Sequence, residues 1–282
     1  MNYIVPVSEE ERTIGQLSKA SAKAAHSALN MQGFVILRGA FATSTIDEMY
    51  AEYQAQYGAY DLAGMQALAN TQSPVLEVGK GRFEIVMRLT GAFDMRAYAN
   101  PLLLRFLIPL MGQAMRLSSV TAVTSYPGAE MQRMHRDSAQ LFPEYNVGPM
   151  LPTYAINMTV PLVDVDATLG PTGVWPATHR FTDDKQPPME DIQVIPFQRG
   201  DAILIDYRTL HAGLANTSPM VRPILYMVYA RQWFFDEVNH PQRVPLDMPL
   251  ENFLALPDDI RPLLMRAYSQ IMRAKMLNRR QA

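Results

Sequence analysis

The stretch MQRMHRD, residues 131–137, read together with LIDYRTLHAG, residues 204–213, decides what fold this chain needs. His135 and Asp137 stand two positions apart in a segment that reads as a strand. Side chains alternate between the two faces of a strand, so both point the same way. His211, 76 residues after His135, follows the apolar run Ala202–Ile205 and supplies a second imidazole. Two imidazoles and one carboxylate are the donor set of a mononuclear non-haem Fe(II) site with open positions. Bringing a third ligand onto a two-ligand strand face calls for a β scaffold that packs distant strands together.

The surrounding sequence supplies such strands. After residue 115, SSVTAVTSY, MQRMHRD, TYAINMTVPLVD, TGVWPATH, IQVIPF, DAILID and RPILYMVYARQWF are strand-like runs separated by Pro, Gly, Asp and Asn. Many short strands with turn signals predict a barrel or a double-sheet jelly roll. The earlier third differs. An alanine-rich helix is expected from about Thr13 to Asn30, stopped by Gly33, followed by the buried strand FVILRG. Ser44 and Thr45 before Asp47 and Glu48 form a capping-box pattern for a helix to about Tyr57. RFEIVMRL reads as a strand, Asn100-Pro101 opens a helix, and a last helix is expected from Pro257 to about Leu277. The fold class is therefore mainly β with flanking helices, in one domain over 1–282 with its β core at about 115–235.

Arg222 lies eleven residues beyond His211 and shares a strand face with Ile224, Tyr226 and Val228. A core-facing arginine is costly unless paired, so it either faces water or holds the carboxylate of a bound acid. Spacing leaves these two readings even. His26, His179 and His240 are expected to be structural. Asn157, on TYAINMTVPL, joins the same cavity if Ile156 and Met158 face away from it.

Composition removes several classes. Charge is balanced, 25 Lys+Arg against 27 Asp+Glu, which argues against an electrostatic nucleic-acid binder. There is no cysteine, so disulfides, Cys-based zinc sites and cysteine nucleophiles are excluded. The first residues lack a basic-then-apolar leader pattern and no stretch approaches about 20 apolar residues; no membrane partner and a cytoplasmic location are expected. On that expectation the sequons at Asn157 and Asn216 carry no glycan. The chain has no HExxH zinc-hydrolase pattern.

In order along the chain, GFVILRGAF, PGAEMQRMHRD, GPTGVWPATHR and RGDAILIDYRTLHAGLANTS, with Arg222 after them, resemble the Fe(II)/2-oxoglutarate dioxygenases. The likeness is to their phytanoyl-CoA dioxygenase-like branch, and within it to members acting on natural products. It spans roughly residues 33–235; Ala177-Thr178 replaces the usual Gly-Ser. The resemblance implies a double-stranded β-helix (jelly-roll, cupin-like) core, with Fe(II) on His135, Asp137 and His211. It places 2-oxoglutarate on Arg222, with Gln132 and Thr172 as further contacts, and O₂ as the oxidant. It implies oxidation of a C–H bond in a small molecule such as a terpenoid, meroterpenoid or alkaloid intermediate, with release of succinate and CO₂, and a homodimer. Asp137 stands where related halogenases carry a small residue, which argues against halogenation. Met65, Met87, Phe93 and Met95 are candidates for an apolar pocket mouth or for plain core. Alternatives are a metal-dependent isomerase or oxygenase without a keto acid, an acyl-CoA hydroxylase, for which no basic cluster suits the CoA phosphates, and a non-catalytic binding protein on the same fold.

Overall fold

The computed structural model describes residues 3–71, 74–182, 185–236, 239 and 244–281, and of 278–281 the backbone only. Its strands are β1 (Ile4–Pro6), β2 (Phe34–Arg38), β3 (Val75–Gly79), β4 (Arg82–Val86), β5 (Arg116–Ser125), β6 (Ala155–Pro161), β7 (Thr172–Val174), β8 (Gln193–Ile195), β9 (Ala202–Asp206), β10 (His211–Gly213) and β11 (Arg222–Ala230). Its helices are α1 (Glu9–Ile14), α2 (Lys19–Gln32), α3 (Thr43–Tyr57), α4 (Leu62–Ala69), α5 (Met95–Tyr98), α6 (Pro101–Met111), α7 (Leu250–Leu254) and α8 (Met265–Gln281).

The strands form two sheets. The large one runs β1-β2-β9-β6-β11-β5-β4-β3, and the small one β10-β7-β8. Phe34, Ile36, Ile203, Ile205 and Ile224 of the large sheet meet Val174 and Ile195 of the small one in a shared apolar layer. This is the double-sheet jelly roll that the alternating short strands call for. Four strands of the large sheet, β1 to β4, come from before residue 115. The opposite face of the large sheet is covered by helices. There Leu117, Val120, Ala122, Ile156, Met158, Leu225, Met227 and Tyr229 pack against α2, α3 and α6 residues such as Leu29, Met49 and Leu103.

Local chemistry accounts for the helix ends. Asn100 Oδ1 accepts from the Leu102 N–H at 3.0 Å and Pro101 occupies the first turn, where its missing N–H leaves nothing unpaired. Gly33 ends α2 in the left-handed region at φ 80°. The expected helix over 13–30 is in fact two, because Gly15 at φ 68° closes α1 and Ser18 caps α2 afresh. The capping box expected at Ser44 does not form. Helix α3 starts at Thr43 after an uncapped Ala42, and its acids look outward to partners instead: Asp47 to Arg199 at 2.5 Å and Glu48 to Arg96 at 2.7 Å. The C-terminal helix begins at Met265 rather than Pro257. Among the described residues no helix is long and apolar enough to cross a membrane.

Met65, Met87 and Phe93 are buried in the helix-side core and Met95 is exposed, so the core reading holds for the first three. Asn157 and Asn216 are both buried, and the Asn216 amide donates to the carbonyls of Ser125 and Met220. His26 bonds the Phe106 carbonyl and His179 the Asn30 carbonyl, as expected of structural histidines; His240 lies outside the described residues.

Candidate active site

Residues 130–138 form an extended edge segment beside β10, bonded at single points rather than as a full strand. His135 and His211 exchange both backbone bonds, N–H to carbonyl at 3.0 and 2.9 Å. The Gln132 N–H donates to the Gly213 carbonyl at 2.9 Å and the Asp137 N–H to the Tyr207 carbonyl at 3.0 Å. The alternation argument survives this irregularity. Met134 packs on Trp175, Leu210 and Ala212, and Arg136 bonds the carbonyls of Arg208, Thr178 and Phe181. His135 and Asp137 turn the other way, into a cavity between the sheets. The third ligand comes from the small sheet. His211 is not the end of β9; the chain leaves β9 at Asp206, crosses to the small sheet, and starts β10 at His211. The two imidazoles are thus side-by-side neighbours, with ring centres 4.5 Å apart.

One ligand atom from each of His135, Asp137 and His211 lies within 4.8 Å of the others. Each imidazole places Nδ1 against a carbonyl, His135 on Arg133 at 2.8 Å and His211 on Thr209 at 3.0 Å. A carbonyl only accepts, so Nδ1 carries the proton and Nε2 keeps its lone pair for a metal. Burial lowers the His135 pKa; His211 adds to this, and the Asp137 charge opposes it. The neutral imidazole, which is the ligating form, is thereby favoured. Asp137 Oδ1 is 3.5 Å from His211 Nε2, while Oδ2 accepts from Asn157 Nδ2 at 3.1 Å. Asn157 reaches the cavity because Ile156 and Met158 face the helices.

The cavity, of about 180 Å³, is also lined by Gln132, Tyr207, Asn239, Tyr226 and Thr121. Leu76, Val78, Val123 and Val228 give it an apolar wall. Arg222 is 1% exposed, which decides between its two readings: it faces inward. It is aligned in register with Ser125 of β5, and Ser125 with Arg82 of β4. Two buried guanidinium groups and a hydroxyl therefore form one row across three strands. Arg222 Nε and Nη1, Arg82 Nε and Ser125 Oγ have no hydrogen-bond partner among the described residues. Burial pushes the Arg222 pKa down to about 9, with Arg82 adding to it and Tyr226 opposing. Burial lowers that of Arg82 as well.

Gln132 lines the cavity, with Oε1 accepting from the Gly213 N–H at 2.9 Å. Thr172 is buried on β7 and bonds through its side chain to Tyr226, one step back from the cavity. Arg82, Tyr207 and Asn239 were not legible as site residues. Arg82 had one signal, its spacing of two from Glu84 on an otherwise apolar strand. Tyr207 lies in a turn, and Asn239 follows the last strand.

Comparison with known proteins converges on one family. The family model described as phytanoyl-CoA dioxygenase (PhyH) matches residues 29–224. Dioxygenase FrzG of Cladobotryum sp is 34% identical over 146 residues, covering 48% of this chain and 47% of that protein. The chain therefore spans about half the length of the curated relatives it matches. Among solved structures, the non-haem α-ketoglutarate-dependent epimerase SnoN from nogalamycin biosynthesis superposes with a TM-score of 0.62 at 17% identity, covering 81% of this chain and 89% of that one. AviO1 from Streptomyces viridochromogenes gives 0.60 at 17% identity, with 77% and 98% covered. At these identities the superpositions establish the jelly-roll fold.

Proposed function

Because the chain belongs to the phytanoyl-CoA dioxygenase family, we propose that it is an Fe(II)- and 2-oxoglutarate-dependent oxygenase, acting as one domain over 1–282. The observation that carries the reading is the pairing of two half-sites joined by Tyr226, which lines the cavity and bonds Arg222. At one end are three metal-type donors with their lone pairs converging. At the other is a buried cationic row in which Arg222 Nε and Nη1 and Arg82 Nε have no hydrogen-bond partner among the described residues. An uncompensated buried cation is expensive, and two side by side make sense when an anion joins them. A dicarboxylic keto acid supplies that anion at one end and reaches a metal with the other.

The residues present suit this chemistry. His135, Asp137 and His211 would hold Fe(II) and leave positions open. Arg222, supported by Ser125 and Arg82, would clamp the distal carboxylate in a charge-assisted pair. Gln132, fixed by Gly213, would orient the near end; Thr172 acts through Tyr226. Bound there, Fe(II) would supply O₂ activation, with the two electrons coming from oxidative decarboxylation of 2-oxoglutarate to succinate and CO₂. The chain's task is to hold one C–H bond near the metal and keep out other reductants. The wall of Leu76, Val78, Val123 and Val228 suits an apolar substrate, with Ser119 and Thr121 offering hydroxyls. A terpenoid, meroterpenoid or alkaloid intermediate fits that wall. Its similarity to the dioxygenase FrzG and to the epimerase SnoN from nogalamycin biosynthesis supports this class.

The test is anaerobic Fe(II) loading followed by 2-oxoglutarate binding, then succinate release in air across a panel of such intermediates. Absence of keto-acid binding by the Fe(II)-loaded protein would overturn the proposal. Keto-acid binding lost in Arg222→Ala separates it from a metal enzyme that uses no co-substrate.

A further inference from the structure

We infer that Asn157 is a positioning residue that dictates which oxygen of Asp137 is offered to the metal, an inference that rests on the iron reading above. Asn157 sits near the middle of the large sheet, its backbone aligned with Val228 of β11 on one side and Ile205 of β9 on the other. It is 5% exposed. Asp137 belongs to the opposite layer, on the edge segment of the small sheet. The Asn157 side chain therefore spans the cavity, and its Nδ2 donates to Asp137 Oδ2 at 3.1 Å. An ionised carboxylate accepts only, so the amide must turn its NH₂ toward it. The other oxygen, Oδ1, is the one beside His211 Nε2 at 3.5 Å. The two oxygens thus have separate tasks: Oδ2 faces the large sheet and Oδ1 faces the histidines.

This division matters because a carboxylate binds a cation through one oxygen or through both. Binding through both would take one of the three open positions that the keto acid and O₂ need between them. It would also pull Oδ2 away from Asn157 and strand a buried NH₂ whose amide oxygen already has no partner among the described residues. The Asp137 main chain is fixed independently, by the Tyr207 carbonyl and by Asn239 Nδ2 at 2.8 Å to its own carbonyl. Those bonds place the Cα but leave the carboxylate free to rotate about its bond to Cβ. Asn157 removes that freedom, and so reserves the open positions.

Asn157→Leu keeps the volume and deletes the donor; Asn157→Ala deletes both and serves if the leucine variant does not fold. Each protein is titrated anaerobically with Fe(II) alone and then with 2-oxoglutarate, following the visible charge-transfer absorption of the Fe(II)–keto acid chelate. The expected result is Fe(II) bound at one per chain, a 2-oxoglutarate midpoint raised roughly 10- to 100-fold, and a displaced band at saturation. Arg222→Leu is the comparator: it weakens the keto acid but leaves the band in place, because it does not touch the metal ligands. A folded Asn157 variant with wild-type midpoint and wild-type band overturns the inference, whatever its melting temperature. Wild-type protein that takes up Fe(II) but no keto acid overturns the iron–keto acid reading and the inference with it.

Discussion

The two faces of β11 set the same backbone in opposite chemistries. Leu225, Met227 and Tyr229 face the helices and are buried among apolar side chains. Tyr226 and Val228, interleaved with them, line the cavity, and Arg222 is buried on the same strand face. The contrast extends to the neighbours, Ile156 and Met158 against Asn157 on β6, and Leu117 and Val120 against Ser119 and Thr121 on β5. Apart from the partly buried Tyr226, burial is near-complete on both faces, so burial does not distinguish them. What distinguishes them is whether polar atoms are satisfied within the protein. The packed face is finished by folding, and the cavity face leaves donors over for something else.

The widest separation between the faces is expected from Asp137→Ala, which should abolish Fe(II) uptake and all metal-dependent succinate release. Its melting temperature should stay close to wild type, read by metal analysis alongside thermal unfolding. On the other face, Leu225→Ala should cost about 2–5 kcal/mol of stability through lost burial and a residual void. Its folded fraction should bind Fe(II) and keto acid as wild type does. A Leu225→Ala protein of full stability would break the distinction.

Arg222→Leu is expected to act in the reverse sense. Removing an unpaired buried charge leaves stability unchanged or raised, while 2-oxoglutarate binding weakens by about 2–5 kcal/mol, as calorimetry would show. The same residue gives opposed pH trends. Its folded pKa, about 9, lies below the ordinary 12.5, so above about 9 the folded state sheds a proton that the unfolded chain retains. Stability from this group therefore rises as pH climbs past 9, while keto-acid affinity falls over the same interval because the clamp loses its charge. Parallel slopes would sink the assignment.

The smallest effect belongs to neither face. Burial pushes Glu11 up, but the backbone N–H groups of Ser8 and Ser18 outweigh it and hold its pKa at about 2. A lowered carboxylate contributes stability above its ordinary 4.5 that is lost as pH falls through about 2. Glu11→Gln should cost less than about 1 kcal/mol at neutral pH and still less at pH 2, by chemical denaturation at each pH.

How far all this was legible follows from the same contrast. The packed face shows in the sequence because alternation of Ile156, Met158 and Val160 with Asn157 and Thr159 is a local pattern, and the candidate metal donors show because H-x-D places two on one side. The resemblance added Arg222 a role that spacing left even. Other features depend on partners far along the chain. Arg82 is a site residue only because β4 pairs with β5 and β5 with β11. The capping pattern at Ser44 failed because Arg199 and Arg96, distant in sequence, hold Asp47 and Glu48. The crossing from β9 to β10 was invisible because Tyr207–Leu210 carries neither Gly nor Pro to announce a change of sheet.

The mutual backbone bonds between His135 and His211 close a loop of 76 residues. Entropy must be surrendered before a contact of that span is rewarded, so the bridge belongs to the late part of folding. Until it forms, the chain offers a metal only the isolated His135–Asp137 pair. The complete three-donor site therefore exists in the native chain and hardly at all in partly folded ones. A metal held by all three donors would consequently act as a thermodynamic brake on unfolding, and it would single out the finished molecules in a population.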